Sequence, residues 1–184
     1  DRGIKDGASK MTNNISTSTE LTSGGKPFVH VHAAHCESGA AAALFRDKGL
    51  DISESMIFGI GSGIFFGHFP FIKMVGLPIT TYRAHPASIF RKSAKRLGWK
   101  FVTRRFRNAE KGMKEMRRVL QSGQIVGVTT NIYWLSYFPN RFRFQFNGHN
   151  IVVLRETENG FRVSDPVLDK PVDCSTEDLI RARF

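Results

Sequence analysis

The sequence predicts an α+β fold in which helices come first and a run of antiparallel strands follows. Residues 37–48 are Ala-rich and end at Gly49, which is typical of a helix closed by a left-handed glycine. Residues 109–121 show a basic amphipathic helical pattern. Residues 151–155 and 161–164 read as strands joined by a connection that ends in Asn-Gly. This order favours a helical part and an antiparallel sheet over a doubly wound parallel sheet.

The remaining elements follow from periodicity and turn residues. Pro86 at the start and Gly98 at the end predict a helix over 87–97. Ser175, with Asp178 three residues later, predicts the cap of a last helix. Further strands are predicted at residues 28–31, 79–82, 99–106, 124–133 and 141–146, with a loop at 134–140.

One catalytic domain is expected over residues 27–184, preceded by a short leader. Residues 12–26 are rich in Ser, Thr, Asn and Gly, so we interpret 1–26 as a disordered leader or a cloning remnant, with Met11 as a candidate native start. The sequence leaves open whether a C-terminal portion is missing after Phe184.

Composition predicts a folded cytoplasmic protein. The chain has 184 residues, 41% of them hydrophobic, and no signal peptide is visible. The most apolar stretch, residues 56–75, contains four glycines, a histidine, a proline and a lysine, so no membrane span is expected. Two cysteines do not make a disulfide framework, which favours reduced thiols.

The net charge of +11 indicates an anionic partner. Arginine and lysine concentrate in residues 91–107 and 111–118, and at Arg141 and Arg143. Nucleic acid, anionic lipid and acidic proteins all fit such a surface. We do not expect nucleic acid, because no recognition motif accompanies the charge.

Cys36 is the first candidate catalytic residue. It lies where a short apolar strand gives way to the Ala-rich helix, so its thiol would meet the free N–H groups and the positive end of the helix dipole. Both favour the thiolate, which is the nucleophilic form. The alternative reading is a small core residue.

His149 and Asp165 supply the base and the orienting carboxylate that a catalytic thiol requires. With the turn of the predicted hairpin near Glu158, they lie at the same end of its two strands. Side-chain alternation decides whether they share a face, and a bulge could adjust it. Alternatively, His149 is a strand-edge residue and Asp165 a turn former before Pro166.

These motifs resemble a known family. A cysteine that opens a helix, followed by Gly-His-x-x-Val-Val and then Asp-Pro, resembles the papain-like cysteine protease fold in its C39-peptidase-like form, with the nucleophile on an N-terminal helix ahead of an antiparallel sheet. The sequence H-C-E-S at 35–38, with S-E-S-M-I-F-G-I-G-S-G at 53–63, is similar to the N-terminal domain of butirosin biosynthesis protein H. The resemblance covers roughly residues 28–184. Gly39 departs from the pattern, where we expect a second serine.

The resemblance implies a cysteine-dependent acyltransferase of secondary-metabolite or lipid biosynthesis. Cys36 would be the nucleophile, His149 the base and Asp165 the orienting residue. The acyl group would pass from the thioester of an acidic acyl carrier protein to a small amine. No cofactor is expected to be bound, since the phosphopantetheine arm of the carrier is part of the substrate.

Two histidines are candidate auxiliary residues. His30 lies where papain-like enzymes commonly have the glutamine of the oxyanion hole, and His32 is nearby. Either could instead be a satisfied strand residue. A zinc reading of His30, His32 and His35 beside Cys36 lacks a second Cys/His pair, so no metal is predicted.

The candidate substrate-binding residues are Glu37, Glu54, Gly61 and Gly63. Glu37 adjoins the nucleophile and could bind the incoming amine, or it could simply stabilise the helix dipole. Glu54 could line the pocket or cap a turn. The glycines could form one wall of the tunnel for the pantetheine arm, or allow a tight approach to a neighbouring element.

Two alternatives to acyl transfer stay open. The same triad would serve a C39-like cysteine peptidase or amidase. A basic nucleic-acid-binding domain without catalysis is the third reading.

Overall fold

The computed structural model describes residues 17–74 and 76–184. Along the chain its elements are β1 (Thr17–Leu21), β2 (Pro27–Val31), α1 (Cys36–Asp47), α2 (Glu54–Ile60), β3 (Ile64–Met74), β4 (Leu77–Arg83), α3 (Ser88–Arg96), α4 (Ala109–Gln121), β5 (Val126–Thr130), β6 (His149–Thr157), β7 (Gly160–Ser164), β8 (Val172–Ser175) and α5 (Thr176–Arg183). Short 3₁₀ turns occupy Ile132–Trp134 and Asn140–Phe142.

The predicted α+β class is confirmed, with antiparallel pairing throughout the described sheets. β5, β6, β7 and β8 form a four-stranded sheet in sequence order, and β1–β2 and β3–β4 form two separate hairpins. Alternation along β6 divides the core, because Ile151 and Val153 face α4 and α5 while Val152 and Leu154 face α1. The sheet is therefore covered by helices on both faces.

Helix α1 lies between the sheet and the α2–α3 pair, and its alanines make this possible. Ala40 and Ala43 pack on the sheet, whereas Ala41, Ala42 and the fully buried Phe45 pack on α2 and α3. Small side chains allow both neighbours to approach closely. Burial of an aromatic side chain such as Phe45 is worth about 2–3 kcal/mol, so this central packing fixes the position of the helix that begins at Cys36.

The helix predictions were close to the observed elements. Helix α4 has the predicted bounds, α1 is displaced by one residue, and α3 is one residue shorter at each end than predicted. The residue after the C-cap of α1, Gly49, has φ of 91°, the left-handed conformation expected of a closing glycine. Ser175 caps α5 by accepting a hydrogen bond from Asp178 N.

Two strand predictions were wrong. Residues 99–106 pair with no strand of the described chain; Trp99 and Phe101 instead pack on Phe45, so aromatic anchoring produced the strand-like alternation. Residues 141–146 contain a 3₁₀ turn, and their phenylalanines are 37–58% exposed. The strand predicted at 124–133 is confined to β5, because Asn131 accepts a hydrogen bond from Tyr133 N and starts a turn.

Several elements were missed. Of the leader predicted to be disordered, residues 17–26 instead form β1 and the turn to β2, with Thr17 paired to Val31 and Leu21 to Pro27. Residues 1–16 lie outside the described residues. β1 is polar and gives no hydrophobic signal; its ladder with β2 and the ion pair of Glu20 with Arg162 hold it. The stretch 51–70 contains α2 and most of β3, and β8 was also missed.

No helix in the described ranges combines the length and the apolar character that crossing a bilayer requires.

Candidate active site

Cys36 is the first residue of α1, as predicted. The residue before it, His35, is the N-cap, and its ring Nδ1 accepts a hydrogen bond from Ser38 N at 3.3 Å. The Cys36 thiol is half-buried and lies 4.0 Å from the carbonyl oxygen of Gly148. It therefore faces the start of β6, which carries the predicted base.

A bulge in β6 brings the base and the carboxylate to one face of the sheet. Near the turn Arg155 pairs with Arg162, a register that would place His149 and Asp165 on opposite faces. One extra residue on β6, between Val153 and Arg155, shifts the register and reverses the alternation. His149 Nε2 consequently lies 2.6 Å from Asp165 Oδ2, and the predicted proximity is confirmed.

Asp165 is fully buried and is held by three groups. Its Oδ2 accepts hydrogen bonds from His149 and, at 2.9 Å, from the hydroxyl of Tyr137. Its Oδ1 accepts one from Val167 N at 3.2 Å. The sequence prediction missed Tyr137, because it lies in an irregular connection and no motif distinguishes it from the neighbouring aromatic residues.

The electrostatic environment favours a thiolate on Cys36 and a proton on His149. Burial acts to raise the pKa of Cys36, but hydrogen bonds from the side chain of His149 and from Asn150 outweigh it, so that the pKa of the thiol is lowered. Burial acts to lower the pKa of His149, but hydrogen bonds and charges from Asp165 and Cys36 raise it to about 9. An ion pair of this kind is the nucleophilic form of a Cys-His couple.

The roles of the two imidazole nitrogens follow from these contacts. Nε2 of His149 donates to Asp165, which leaves Nδ1 for Cys36. Phe138 packs edge-on against the imidazole, with ring centroids 5.7 Å apart. The ring is thus fixed by a hydrogen bond on one side and by an aromatic contact on another.

Asn150 is a second residue that the sequence prediction missed. Its backbone and side chain both act on the Cys36 thiol and lower the pKa of that group. The orientation of its amide is fixed, because Nδ2 donates to Gly148 O at 2.9 Å and Oδ1 accepts from the Thr129 hydroxyl at 3.1 Å. Its position directly after the candidate base His149 is the signal in the sequence that could have identified it.

His30 does not have the free ring nitrogen that an oxyanion donor needs. It is fully buried; Nε2 donates to Leu168 O at 2.9 Å and Nδ1 accepts from the Ser164 hydroxyl at 2.8 Å. Burial lowers the pKa of the ring, in keeping with a neutral tautomer. His30 ties β2 to the segment that carries Asp165. His32 is exposed beyond the end of β2, and its auxiliary role stays a prediction.

Glu37 also differs from its predicted use. Its buried carboxylate accepts hydrogen bonds from Ile89 N at 2.9 Å and Phe90 N at 3.1 Å, and pairs with Arg83 at 2.7 Å. Helix α3 has no side-chain cap of its own, because its N-cap Ala87 cannot supply one. Glu37 caps that helix from α1, so both of its carboxylate oxygens have partners within the protein.

Glu54 and the two glycines connect α2 to its neighbours. Glu54 Oε1 accepts a hydrogen bond from the buried Ser38 hydroxyl at 2.7 Å, which links the two predicted sequence motifs. A Cβ on Gly61 would stand 2.8 Å from the backbone oxygen of Ile89, and one on Gly63 would stand 2.6 Å from the Phe58 ring. The glycines allow close packing, as the second of the two predicted readings proposed.

The histidines near Cys36 point to different partners. His30 contacts Ser164 and Leu168, whereas His35 caps α1. Within the described ranges, no three His, Cys, Asp or Glu side chains converge as a metal site requires.

Comparison with known proteins gives one family assignment. A family model described as Butirosin biosynthesis protein H, N-terminal, matches residues 35–166, which is more than half of the chain. The match begins one residue before the thiol and ends one residue after the Asp165 carboxylate. No curated protein and no solved structure matches the chain significantly.

Proposed function

Because this chain belongs to the Butirosin biosynthesis protein H, N-terminal family, as its sequence motifs predicted, we propose that it is a biosynthetic cysteine acyltransferase of papain-like architecture. It would take an acyl group from the thioester of an acyl carrier protein and deliver it to an amine through an acyl-Cys36 intermediate. Cys36 is the proposed nucleophile, His149 the base and Asp165 the orienting residue.

One observation carries the proposal. The thiol with a lowered pKa lies at a helix N-terminus beside an imidazole whose pKa is raised to about 9 by a buried carboxylate 2.6 Å away. A structural cysteine gains nothing from such an arrangement. Cys174 gives the contrast in the same chain, because burial raises the pKa of its thiol to about 12.

In the first step, the Cys36 thiolate attacks the carbonyl carbon of the thioester. The oxygen becomes negatively charged, and the backbone N–H of Cys36, which has no partner within α1, can donate to it. The bond from carbon to the pantetheine sulfur then breaks. The departing thiolate takes the proton from His149 Nδ1, so the products are acyl-Cys36 and a neutral imidazole.

In the second step, the amine attacks the acyl carbon while His149 Nδ1 takes its proton. The bond to the Cys36 sulfur breaks, which releases an amide and restores the thiolate and the protonated imidazole. Asp165 keeps the ring oriented in both steps, because it holds Nε2 and leaves Nδ1 directed at the thiol. No bound cofactor is needed.

The charge of the chain supports an acidic donor. Acyl carrier proteins are typically acidic, and a net charge of +11 would accelerate their docking. Lysine and arginine side chains could also bind the phosphate of the pantetheine arm. Transfer to an amine is preferred over hydrolysis because the family is named for a biosynthesis protein.

The test is an intact-mass measurement with acyl carrier proteins charged with acyl groups of different lengths. We expect an adduct of the acyl mass, located on Cys36 by peptide mapping, and its release as an amide by added amines. Cys36→Ser should form no adduct, whereas Cys174→Ser should behave like the parent.

Two outcomes would contradict the proposal. If acyl-Cys36 were released by water as fast as by any amine, the protein would be a hydrolase. If Cys36 took no acyl group from any carrier or coenzyme thioester but reacted with peptides, the C39-like peptidase reading would replace the transferase.

A further inference from the structure

The β3–β4 hairpin exposes apolar side chains on both of its faces. Phe69 pairs with Ile79 and shares one face with it, whereas Phe66 and Tyr82 are in contact on the other, with ring centroids 5.5 Å apart. Phe66 is 65% exposed and Tyr82 is 74% exposed. In the part of the chain that the structure describes, neither strand has a second neighbour. An isolated two-stranded hairpin is only marginally stable in water, so we expect a partner to cover this surface.

The end of the hairpin is more apolar still. A register shift between Phe69 and Lys73 leaves residues 70–72 of β3 without partners on β4. Phe71 in this bulge is 96% exposed, and Leu77 across the turn is 71% exposed. The exposed Lys73 lies between them in sequence. The tip therefore combines large apolar side chains with a positive charge.

The surrounding sequence has no acidic residue. Between Glu54 and Glu110 there is neither Asp nor Glu, whereas ten basic residues occur there: Lys73, Arg83, Arg91, Lys92, Lys95, Arg96, Lys100, Arg104, Arg105 and Arg107. The segment contains the whole hairpin and accounts for most of the net charge of +11. Its charge complements an anionic surface and offers nothing that would repel one.

We propose that the hairpin docks on an anionic phospholipid surface, with Phe71, Ile72 and Leu77 inserted at the headgroup level. The interface of a bilayer surrounds an inserted hairpin on both faces, whereas a protein partner packed on one face would leave the other face wet. Aromatic and aliphatic side chains beside lysine are typical of segments held at this depth. The unpaired edges of β3 and β4 limit insertion to the headgroup region, where water still satisfies their backbone groups.

Docking would place the lipid surface within about one hairpin length of the candidate active site. The hairpin base is joined to α1, because Arg83 at the end of β4 pairs with Glu37, the residue after Cys36. β3 has 11 residues, which at about 3.3 Å each reach roughly 36 Å at most from base to tip. The proposal does not depend on the chemistry of Cys36, and its test requires no turnover.

The experiment is co-sedimentation of the full chain with vesicles of phosphatidylcholine alone or with 30 mol% phosphatidylserine. We expect binding to the anionic vesicles that weakens with added salt, and little binding to the neutral ones. Phe71→Ser should weaken the binding roughly tenfold or more, because it removes one inserted aromatic side chain. The matched control is Phe142→Ser, which changes an exposed phenylalanine outside the hairpin and should bind like the parent.

Circular dichroism and sedimentation velocity without vesicles complete the design. Retained secondary structure in Phe71→Ser would attribute its weaker binding to the lost contact. Equal binding by Phe71→Ser and Phe142→Ser, or no preference for anionic vesicles, would overturn the proposal. A dimer in solution that Phe71→Ser converts to monomer would overturn it in favour of a second copy as the partner.

Discussion

Gly39 in α1 lies against Pro166, and a Cβ added to Gly39 would stand 2.7 Å from the Cβ of Pro166. Ala33 N also donates a hydrogen bond to Pro166 O at 2.6 Å. The turn that presents Cys36 is thus fastened to the residue that follows Asp165. The relative position of thiol and carboxylate is set by packing, in addition to the hydrogen bonds of His149. This also explains why a glycine occupies the position where the family pattern suggested serine.

Gly39→Ala should therefore disturb the site through packing alone. The new methyl group would meet Ala33 and Pro166, and overpacking of this kind costs about 1–3 kcal/mol. We expect a lower free energy of unfolding in urea and slower alkylation of Cys36 at neutral pH. Gly59→Ala is the matched control, since a Cβ there meets nothing within 4 Å and should stabilise α2. Gly39→Ala would contradict this account if it were as stable and reactive as the control.

The lowered pKa of Cys36 predicts alkylation at unusually low pH. A lowered pKa means that the thiolate persists below the pH at which free cysteine loses its proton. The rate of Cys36 alkylation by iodoacetamide should therefore rise at a lower pH than the rate for free cysteine. A second inflection should appear near pH 9, where His149 loses its proton. Cys174 should stay unmodified, because the pKa of its thiol is raised to about 12 by burial.

His149→Ala should move the pKa of Cys36 upward, because it removes the hydrogen bond and the charge that stabilise the thiolate while burial remains. Mass spectrometry of the alkylated peptides at each pH measures this. An unchanged pH profile in the variant would show that the thiol is activated without His149, by Asn150 and the helix N-terminus.

The sequence was sufficient to predict the three candidate catalytic residues but not their alignment. Cys36 was recognisable because helix propensity and a closing glycine define α1 locally. His149 and Asp165 were recognisable because one hairpin contains both. The bulge that brings them to one face lies where β6 packs against α1 and α4, and a residue pattern along one strand does not encode it.

Contacts between residues that are distant in sequence explain the other differences between prediction and structure. His30 and Glu37 have the residue types of functional groups, but their roles depend on contacts with Ser164 and with the start of α3, which are distant in sequence. The β3–β4 hairpin was missed for another reason. Its apolar residues occur on both faces, so it lacks the alternation that marks a half-buried strand.

Tyr137 should act as a positioning residue for Asp165. Its hydroxyl donates to the same oxygen that accepts from His149, and so it competes for the negative charge of Asp165 Oδ2. Tyr137→Phe removes this donor and should cost about 1–2 kcal/mol of stability. The charge left on Asp165 should raise the pKa of His149, which would move the upper inflection of Cys36 alkylation to higher pH.

Tyr133→Phe provides the control for that experiment, because Tyr133 is an exposed tyrosine of the same connection. A purely structural role for Tyr137 predicts lower stability in Tyr137→Phe with both inflections unmoved.

Glu37 gives the sharpest distinction between a structural role and a substrate-binding role. The structure predicts that Glu37→Gln destabilises the fold by about 2–3 kcal/mol, because an amide cannot replace the carboxylate against both Arg83 and the two α3 amides. This loss of unfolding free energy is smaller than for a fully buried ion pair, since the Arg83 side chain is 30% exposed. Urea unfolding measures it, and release of acyl-Cys36 by a graded series of amine concentrations measures acceptor binding. If Glu37→Gln were as stable as the parent but needed far more amine to release acyl-Cys36, Glu37 would be a residue of the acceptor site instead.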